Sequence, residues 1–314
     1  MDRPTLFPQA AAPIDARGRA RGTGRVALAT YARLPGLADD DRLLADALRA
    51  VAVDAAPAVW DDAGVDWERF DLVIVRSCWD YHTRLGDFLR WLDRVEATGT
   101  RVENAPAVLR WNAEKTYLRD LAACGVPVVP TRWVRPGGDV ALDVLLGEAG
   151  WDEAVVKPIV SASATDTWRT GRASAAADAA RFRDLAARGG VMVQPFLPVV
   201  AAEGEWSLVF LDGTFSHAVL KRPAAGDFRV QHEHGGSAEP VAPSPALVRQ
   251  ARAALAAAPG DPLYARVDGC VIAGRLHVME LELIEPSLFL ALAPDAPARL
   301  ARAVVRRLGE GGGD

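Results

Sequence analysis

Residues 70–81 read FDLVIVRSCWDY, with Leu72, Val73, Ile74 and Val75 in unbroken succession. An apolar run without polar alternation suits a strand buried on both faces, the condition of a parallel sheet covered by helices on either side. The flanking sequence supplies the partners. RVALATYA reads as a strand, and DDDRLLADALRAVA as a helix whose leading aspartates favour the positive end of its dipole. AAPAVW is a second strand, and LGDFLRWLDRVEAT is an amphipathic helix closed by Gly99. Strand, helix, strand, strand, helix predicts an open α/β unit over about residues 25–110.

The chain continues for another two hundred residues, enough for two more subdomains. In a central unit over 111–197, NAEKTYLRDLAACGVPVVPTRWV predicts one helix, a Gly-Val-Pro stop and an extended segment. EAVVKPIV is a strand that ends in a polar loop, SASATDTWRTGRAS. DAARFRDLAARGG is a helix with a glycine stop, and VMVQPFLPVV is again extended. In a unit over 198–310, EWSLVFLDGTFSHAVLKRP predicts a hairpin around Asp212-Gly213, followed by a capped helix, SPALVRQARAALAAA. LYARVDGCVIAGRLHVMELELI predicts a second hairpin turning at Ala273-Gly274, and a last helix spans about 294–308. Residues 1–24 carry Pro, Gly, Ala and Arg with no sustained period; a disordered extension is expected, with a partner-binding arm as the alternative.

Charge excludes some functions. Thirty-six basic residues against 41 acidic ones, a net charge of −5, give no nucleic-acid or membrane surface. Cys78, Cys124 and Cys270 have no metal or redox spacing, and so sparse a count fits a reducing cytoplasm. The N-terminus has no apolar segment of the secretory kind.

The second hairpin carries the chemistry. Arg266 and Asp268 share one face of its first strand, and Glu280 and Glu282 one face of its second. Carboxylates that close repel one another, so something positive is expected between them. Three oxygen ligands completed by water and phosphate suit Mg²⁺. A polar sheet face with charged cross-strand pairs is the alternative. Lys157 interrupts an apolar strand end, and Lys115 stands at a helix start upstream. Lys221, Arg222 and Arg229 surround a Gly-Asp turn, where Arg and Lys offer charged donors to phosphate. Arg76, Trp79, Asp80 and Tyr81 sit beyond the carboxyl end of the third strand, the usual ligand position in open α/β sheets. There Arg76 is expected to pair with a substrate carboxylate and Asp80 with an amine; a capped helix start is the alternative.

Together these motifs resemble the ATP-grasp superfamily, whose α/β fold clasps ATP between two α+β subdomains behind an N-terminal α/β unit. RVDGCVIAGRLHVMELE is similar to its R-x-D strand followed by E-x-N, with Glu282 in place of the usual Asn. The resemblance implies Asp268, Glu280 and Glu282 as ligands of one or two Mg²⁺ ions, and Arg266 on the transferred phosphate. It implies Lys115 and Lys157 on the ATP phosphates, with Ser161, Ser163 and Thr165 serving in a phosphate loop that lacks the usual glycines. VQPFL resembles the interdomain hinge, so Gln194 and the backbone of Pro195, Phe196 and Leu197 would read adenine, and Glu205 the ribose. KRPAAGDFRVQHEHGG resembles the RimK-type segment, which places Arg222, Arg229 and Gln231 at the phosphates or the acyl group. VRSCWDY, VKPIVSASA and MELELIEPSLFL resemble the D-cycloserine ligase group, which closes O-ureido-D-serine; this adds Glu285 and Ser287 to the substrate side.

The expected activity is ATP-dependent carbon–nitrogen ligation of an amino-acid-like small molecule through an acyl phosphate, with Arg266, Arg229 and Lys157 in the catalytic set. Intermolecular amino-acid or peptide ligation and a non-catalytic nucleotide-binding module stand as alternatives. Homodimerisation through the N-terminal unit is left open.

Overall fold

The computed structural model describes residues 24–310, and three sheets organise them. The first is the sheet that the apolar run demands. β1 (Arg25–Thr30), β2 (Asp54–Val59), β3 (Leu72–Ser77) and β4 (Arg101–Glu103) are parallel, in the order β2-β1-β3-β4. Every residue of β3 is buried. α1 (Asp39–Ala50) covers one face and α2 (Leu85–Ala97) the other. α2 sinks Phe88, Trp91, Leu92 and Val95 among Trp60 and Trp67, where the indoles meet edge to face as their quadrupoles favour.

α3 (Pro106–Asn112) and α4 (Tyr117–Ala123) lead onward. α4 is the one helix expected after Asn112, and α3 precedes it; Lys115 lies in the break between the two, just before the start of α4. The second sheet is antiparallel, β5 (Arg132–Val134), β6 (Glu153–Pro158), β7 (Trp168–Gly171) and β8 (Val191–Pro195), in the order β5-β8-β6-β7. α5 (Leu142–Ala149) and α6 (Ala175–Gly189) pack on it through Leu145, Leu146, Phe182 and Leu185. β7 falls inside the stretch read as a polar loop. β8 stops at Pro195, and α7 (Pro198–Glu203) begins at Pro198, so that segment is not extended throughout; proline in a first helical turn sacrifices no hydrogen bond.

The third sheet is antiparallel, in the order β11-β10-β9-β12-β13. β9 (Glu205–Leu211) and β10 (Thr214–Arg222) form the first expected hairpin, with β11 (Ser237–Pro240) added at its edge. β12 (Tyr264–Ile272) and β13 (Arg275–Glu282) form the second. α8 (Pro245–Ala256) packs behind the sheet, its N-terminus capped by Ser244 Oγ accepting from the Leu247 N–H at 3.2 Å, a contact worth about 1 kcal/mol. α9 (Ala296–Glu310), expected with this third unit, buries Leu300, Ala301 and Val304 in a core shared by Val209 and Leu211 of β9 and by Leu44, Ala45 and Leu48 of α1.

Among the described residues no helix is long and apolar enough to cross a membrane. Residues 1–23, nearly all of the expected disordered extension, lie outside the described residues.

Candidate active site

A cavity of about 490 Å³ opens between the second and third sheets, with Trp79 and Tyr81 of the first unit at one end. Its floor is the β12–β13 hairpin. Their register sets Arg266 opposite Glu282 and Asp268 opposite Glu280, so the four charged side chains converge. The register slips just after Asp268, where a Cβ on Gly269 would lie 2.4 Å from the His277 carbonyl oxygen; the bulge therefore requires glycine.

Arg266 organises the floor. Its Nε donates to Asp268 Oδ1 at 3.0 Å, Nη2 to Glu282 Oε1 at 2.7 Å, and Nη1 to the Ser287 carbonyl at 2.9 Å. Asp268 also accepts from Ser207 Oγ at 2.6 Å and from Lys221 Nζ at 3.1 Å. Burial alone would raise the Asp268 pKa, but Arg266 and Lys221 overcome it and hold the carboxyl well below its usual range. Lys221 pairs with Glu205 across the β9–β10 ladder at 2.5 Å. Burial works against its charge, and Asp268 and Glu205 outweigh that, so its pKa is raised.

The two glutamates that the sequence set in mutual repulsion are treated differently. Glu280 Oε1 lies 3.4 Å from Lys157 Nζ and 3.9 Å from Lys115 Nζ. Against the effect of burial, these two ammonium groups hold Glu280 below its ordinary pKa. Lysines already in place therefore supply positive charge beside Glu280. The strain falls on Glu282: burial pushes it up to about 7, and Asp268 and Glu280 add to the rise against the pull of Arg266.

The donors of the floor are all oxygens, which suits a hard cation such as Mg²⁺. Among the described residues no group of three His, Cys, Asp or Glu side chains closes around one point. Mg²⁺ usually completes its shell with water and phosphate, so Asp268, Glu280 and Glu282 fit an ion shared with a polyphosphate better than a caged structural ion.

The roof comes from the second sheet. Lys157 ends β6, and Gln194, Pro195, Phe196 and Leu197 line the cavity where β8 gives out. Gln194 Nε2 donates to Thr131 Oγ1 at 3.0 Å. Lys115 ties the 160–167 loop down, Nζ donating to the Ser161 carbonyl at 2.7 Å and its N–H to the Ile159 carbonyl at 2.9 Å. The loop turns without glycine: Ser163, Ala164 and Asp166 take φ of 50°, 54° and 52°. Left-handed backbone costs an L residue roughly 1–2 kcal/mol, so three together mark a conformation held by its surroundings. Ser163 Oγ reaches Glu233 Oε1 at 3.4 Å, joining this loop to the 223–237 segment, which brings Arg229 and Gln231 to the cavity wall. Arg229 is folded back on Asp227 at 2.8 Å.

At the substrate end Trp79, Tyr81, Glu285, Ser287 and Phe289 face the cavity. Burial, then the charge of Glu282, pushes Glu285 up to about 8. Four expected residues do not line the cavity: Thr165, although Ser163, Ala164 and Thr167 around it do, and Arg76, Asp80 and Arg222. Arg76 is 1% exposed, its Nε donating to Asp41 Oδ1 at 2.9 Å and its Nη2 to the Pro286 carbonyl at 2.6 Å. Its charge is already answered, so it offers nothing to a substrate carboxylate. Asp80 accepts from Trp60 Nε1 at 2.8 Å and pairs with Arg84 at 2.7 Å, leaving no oxygen aimed at an amine. Arg222 lies on the outer face of β10, 3.5 Å from Glu239, away from the cavity. Lys221, expected with Arg222 as a charged donor to phosphate, does line the cavity, where it is paired with Glu205 and Asp268. Tyr117, Met279 and Phe289 line it too, and no pattern in the sequence marks them.

Two facing antiparallel sheets, with acids and an arginine below and lysines above, behind an open α/β unit, form an ATP-grasp ligase. The fold is similar to the structure of D-alanine–D-alanine ligase from Bacillus anthracis complexed with ATP, at a TM-score of 0.66 and 16% identity over 92% of this chain and 100% of that one. It is more similar to the crystal structure of D-cycloserine synthetase DcsG, at a TM-score of 0.82 and 35% identity over 91% of this chain and 100% of that one. The family described as "D-cycloserine synthetase DcsG, N-terminal domain" matches residues 26–104. The cycloserine biosynthesis protein DcsG of Streptomyces lavendulae is 34% identical over 289 residues, 84% of this chain and 92% of that protein. The chain belongs to the D-cycloserine synthetase family of ATP-grasp ligases, enzymes that use ATP to form amide-type carbon–nitrogen bonds.

Proposed function

We propose that the enzyme activates the carboxylate of a small amino-acid derivative with ATP and closes it onto a nitrogen of the same molecule, with O-ureido-D-serine as the substrate type. The size of the cleft carries this reading. About 490 Å³ must hold both a nucleotide and the second substrate. Sites for one drug-sized ligand span roughly 300–1,000 Å³. What remains beside a nucleotide suits a group the size of an amino acid at the reacting end. Similarity over residues 26–104, which supply Trp79 and Tyr81, supports the same class.

In this reading Lys115 and Lys157 hold the ATP phosphates from above, with Ser161, Ser163 and the 160–167 backbone around them. Gln194, Phe196 and Leu197 border the base, and Glu205 takes the ribose hydroxyls or, through Lys221, orders Asp268. Asp268, Glu280 and Glu282 would hold Mg²⁺, which when bound neutralises phosphate charge. A substrate carboxylate oxygen attacks the γ-phosphorus as the bond to ADP breaks. The nitrogen then attacks the carbonyl carbon, and the bond to phosphate breaks. Arg266, Lys157 and Arg229 supply positive charge where negative charge spreads in the phosphoryl transition state. Arg229 must first leave Asp227. The 160–167 and 223–237 segments, already in contact through Ser163 and Glu233, would keep water from the acyl phosphate.

The test is ADP release with O-ureido-D-serine as the only amino-acid substrate, with the product identified by mass spectrometry. Stoichiometric ADP and a cyclic product are expected. ADP that appears only when a separate amine is added would overturn cyclisation in favour of intermolecular ligation.

A further inference from the structure

Each acid on the floor of the cleft has its cation except one. Glu205 has Lys221, Asp268 has Arg266 and Lys221, Glu280 has Lys157 and Lys115, and Glu282 has Arg266. Glu285 faces the cavity, and among the described residues no lysine or arginine stands within ion-pair distance of it.

The backbone that presents Glu285 is held with unusual completeness. Six consecutive carbonyls, Leu283 to Leu288, each lie within hydrogen-bond distance of a side chain. Asn104 Nδ2 donates to Leu283 at 2.8 Å, and the Tyr264 hydroxyl lies 2.9 Å from Ile284. Trp79 Nε1 donates to Glu285 at 3.3 Å, and Arg76 Nη2 to Pro286 at 2.6 Å. Arg266 Nη1 donates to Ser287 at 2.9 Å, and His217 Nε2 lies 2.8 Å from Leu288. A carboxylate on so fixed a segment cannot swing away to find a partner of its own; it is preorganised for one that arrives.

We infer that Glu285 is the seat of the substrate's ammonium group, and that the enzyme selects free α-amino acids over analogues without the amine. This rests on the proposed function and goes one step further. An α-amino acid carries opposite charges on neighbouring carbons. Arg266 bonds to the Ser287 carbonyl two residues from Glu285, so a carboxylate brought to the Arg266 end of the floor sets its ammonium beside the Glu285 carboxyl, whose ionisation a nearby positive charge favours. Trp79 and Tyr81 line the same end, where aromatic faces also favour a cation. A hydroxyl or hydrogen in place of the ammonium would leave Glu285 without a partner, which is the condition under which polar sites discriminate strongly.

The experiment is calorimetric titration of the Mg²⁺- and ATP-analogue-loaded protein with D-serine and with D-glycerate, which differ only in ammonium against hydroxyl. Wild type should bind D-serine at least tenfold more tightly. In Glu285→Gln, which keeps the shape, the gap should close to within about twofold while affinity for the ATP analogue is unchanged. Glu285→Asp should retain part of the gap. Equal binding of the two acids by wild type, binding of neither, or a gap that survives in Glu285→Gln would overturn the inference. Failure to bind the ATP analogue would instead count against the proposed function.

Discussion

Arg76 and Pro286 are 210 residues apart in sequence, and the guanidinium of the first donates to the carbonyl of the second at 2.6 Å. The other edge of Arg76 pairs with Asp41, and its plane lies 4.6 Å from the centre of the Tyr264 ring. One side chain thus fastens the parallel sheet to the segment that carries Glu285. Removing one partner of a buried pair strands the other, at a cost of about 3–5 kcal/mol. Arg76→Met should lose stability of that order in urea unfolding, and the double variant with Asp41→Asn should recover part of it. A loss below about 1 kcal/mol would show that the pair fastens nothing.

Lys157 is 7% exposed and meets no carboxylate closer than Glu280 at 3.4 Å, so its ammonium is free to take a phosphate. Loss of a desolvated, charge-assisted phosphate contact costs about 2–4 kcal/mol, a factor of roughly 30 to 1,000 in affinity. Lys157→Met should weaken ATP binding by that factor in calorimetry. Unchanged affinity would remove Lys157 from the nucleotide site.

Lys221 and Arg222 are neighbours with opposite expected behaviour. Lys221→Met leaves Glu205 and Asp268 short of a cation and should cost about 3–5 kcal/mol of stability. Arg222→Met breaks only an exposed pair and should stay within about 0.5 kcal/mol of wild type, with the KM for ATP unchanged. A raised KM for ATP in Arg222→Met would return that residue to the nucleotide site.

Glu285 gives stability a pH dependence of definite sign. Its pKa rises from 4.5 to about 8 on folding. Between those values the native state binds the proton and the unfolded state does not. The contribution is therefore full below pH 4.5 and is lost as pH climbs through 8, at no more than about 1.4 kcal/mol per pH unit. Between pH 5 and pH 8 wild type should lose more stability than Glu285→Gln, measured by urea unfolding. Parallel pH profiles would show that Glu285 does not titrate in this way.

Much of this was open to sequence reasoning because it follows from short-range pattern. β3 declares itself by its apolar run, and the hairpin spacing fixes which acids face one another. The strands left unread, β4, β7 and β11, are all edge strands of three or four residues. A strand paired on one side only needs no strong apolar signature. Arg76 was misassigned because its partner, Asp41, lies 35 residues upstream, and residue type alone cannot say which charge is already answered. Arg222 falls outside the cavity that Lys221 lines for a different reason. The β9–β10 register shifts between Phe215 and His217, so the facing of the later residues cannot be counted from the turn. The side chains that hold carbonyls 283–288 come from scattered positions, and no local pattern announces them.

The return of α9 to α1 has a mechanical consequence. Val209 and Leu211 of the third sheet join the same core as those two helices, so the beginning and end of the described chain belong to a single anvil. The central sheet is an insertion into that anvil, attached by only two crossings, near residues 113–131 and 195–205. Met192, packed with Leu208 and Phe210, lies where the second crossing begins. Asp268, Glu280, Glu282, Arg266 and Glu285 all stand on the anvil, whereas Lys157 and the 160–167 loop stand on the inserted sheet, so a shift of that sheet alone would change the spacing of lysine to acid without disturbing the acids among themselves.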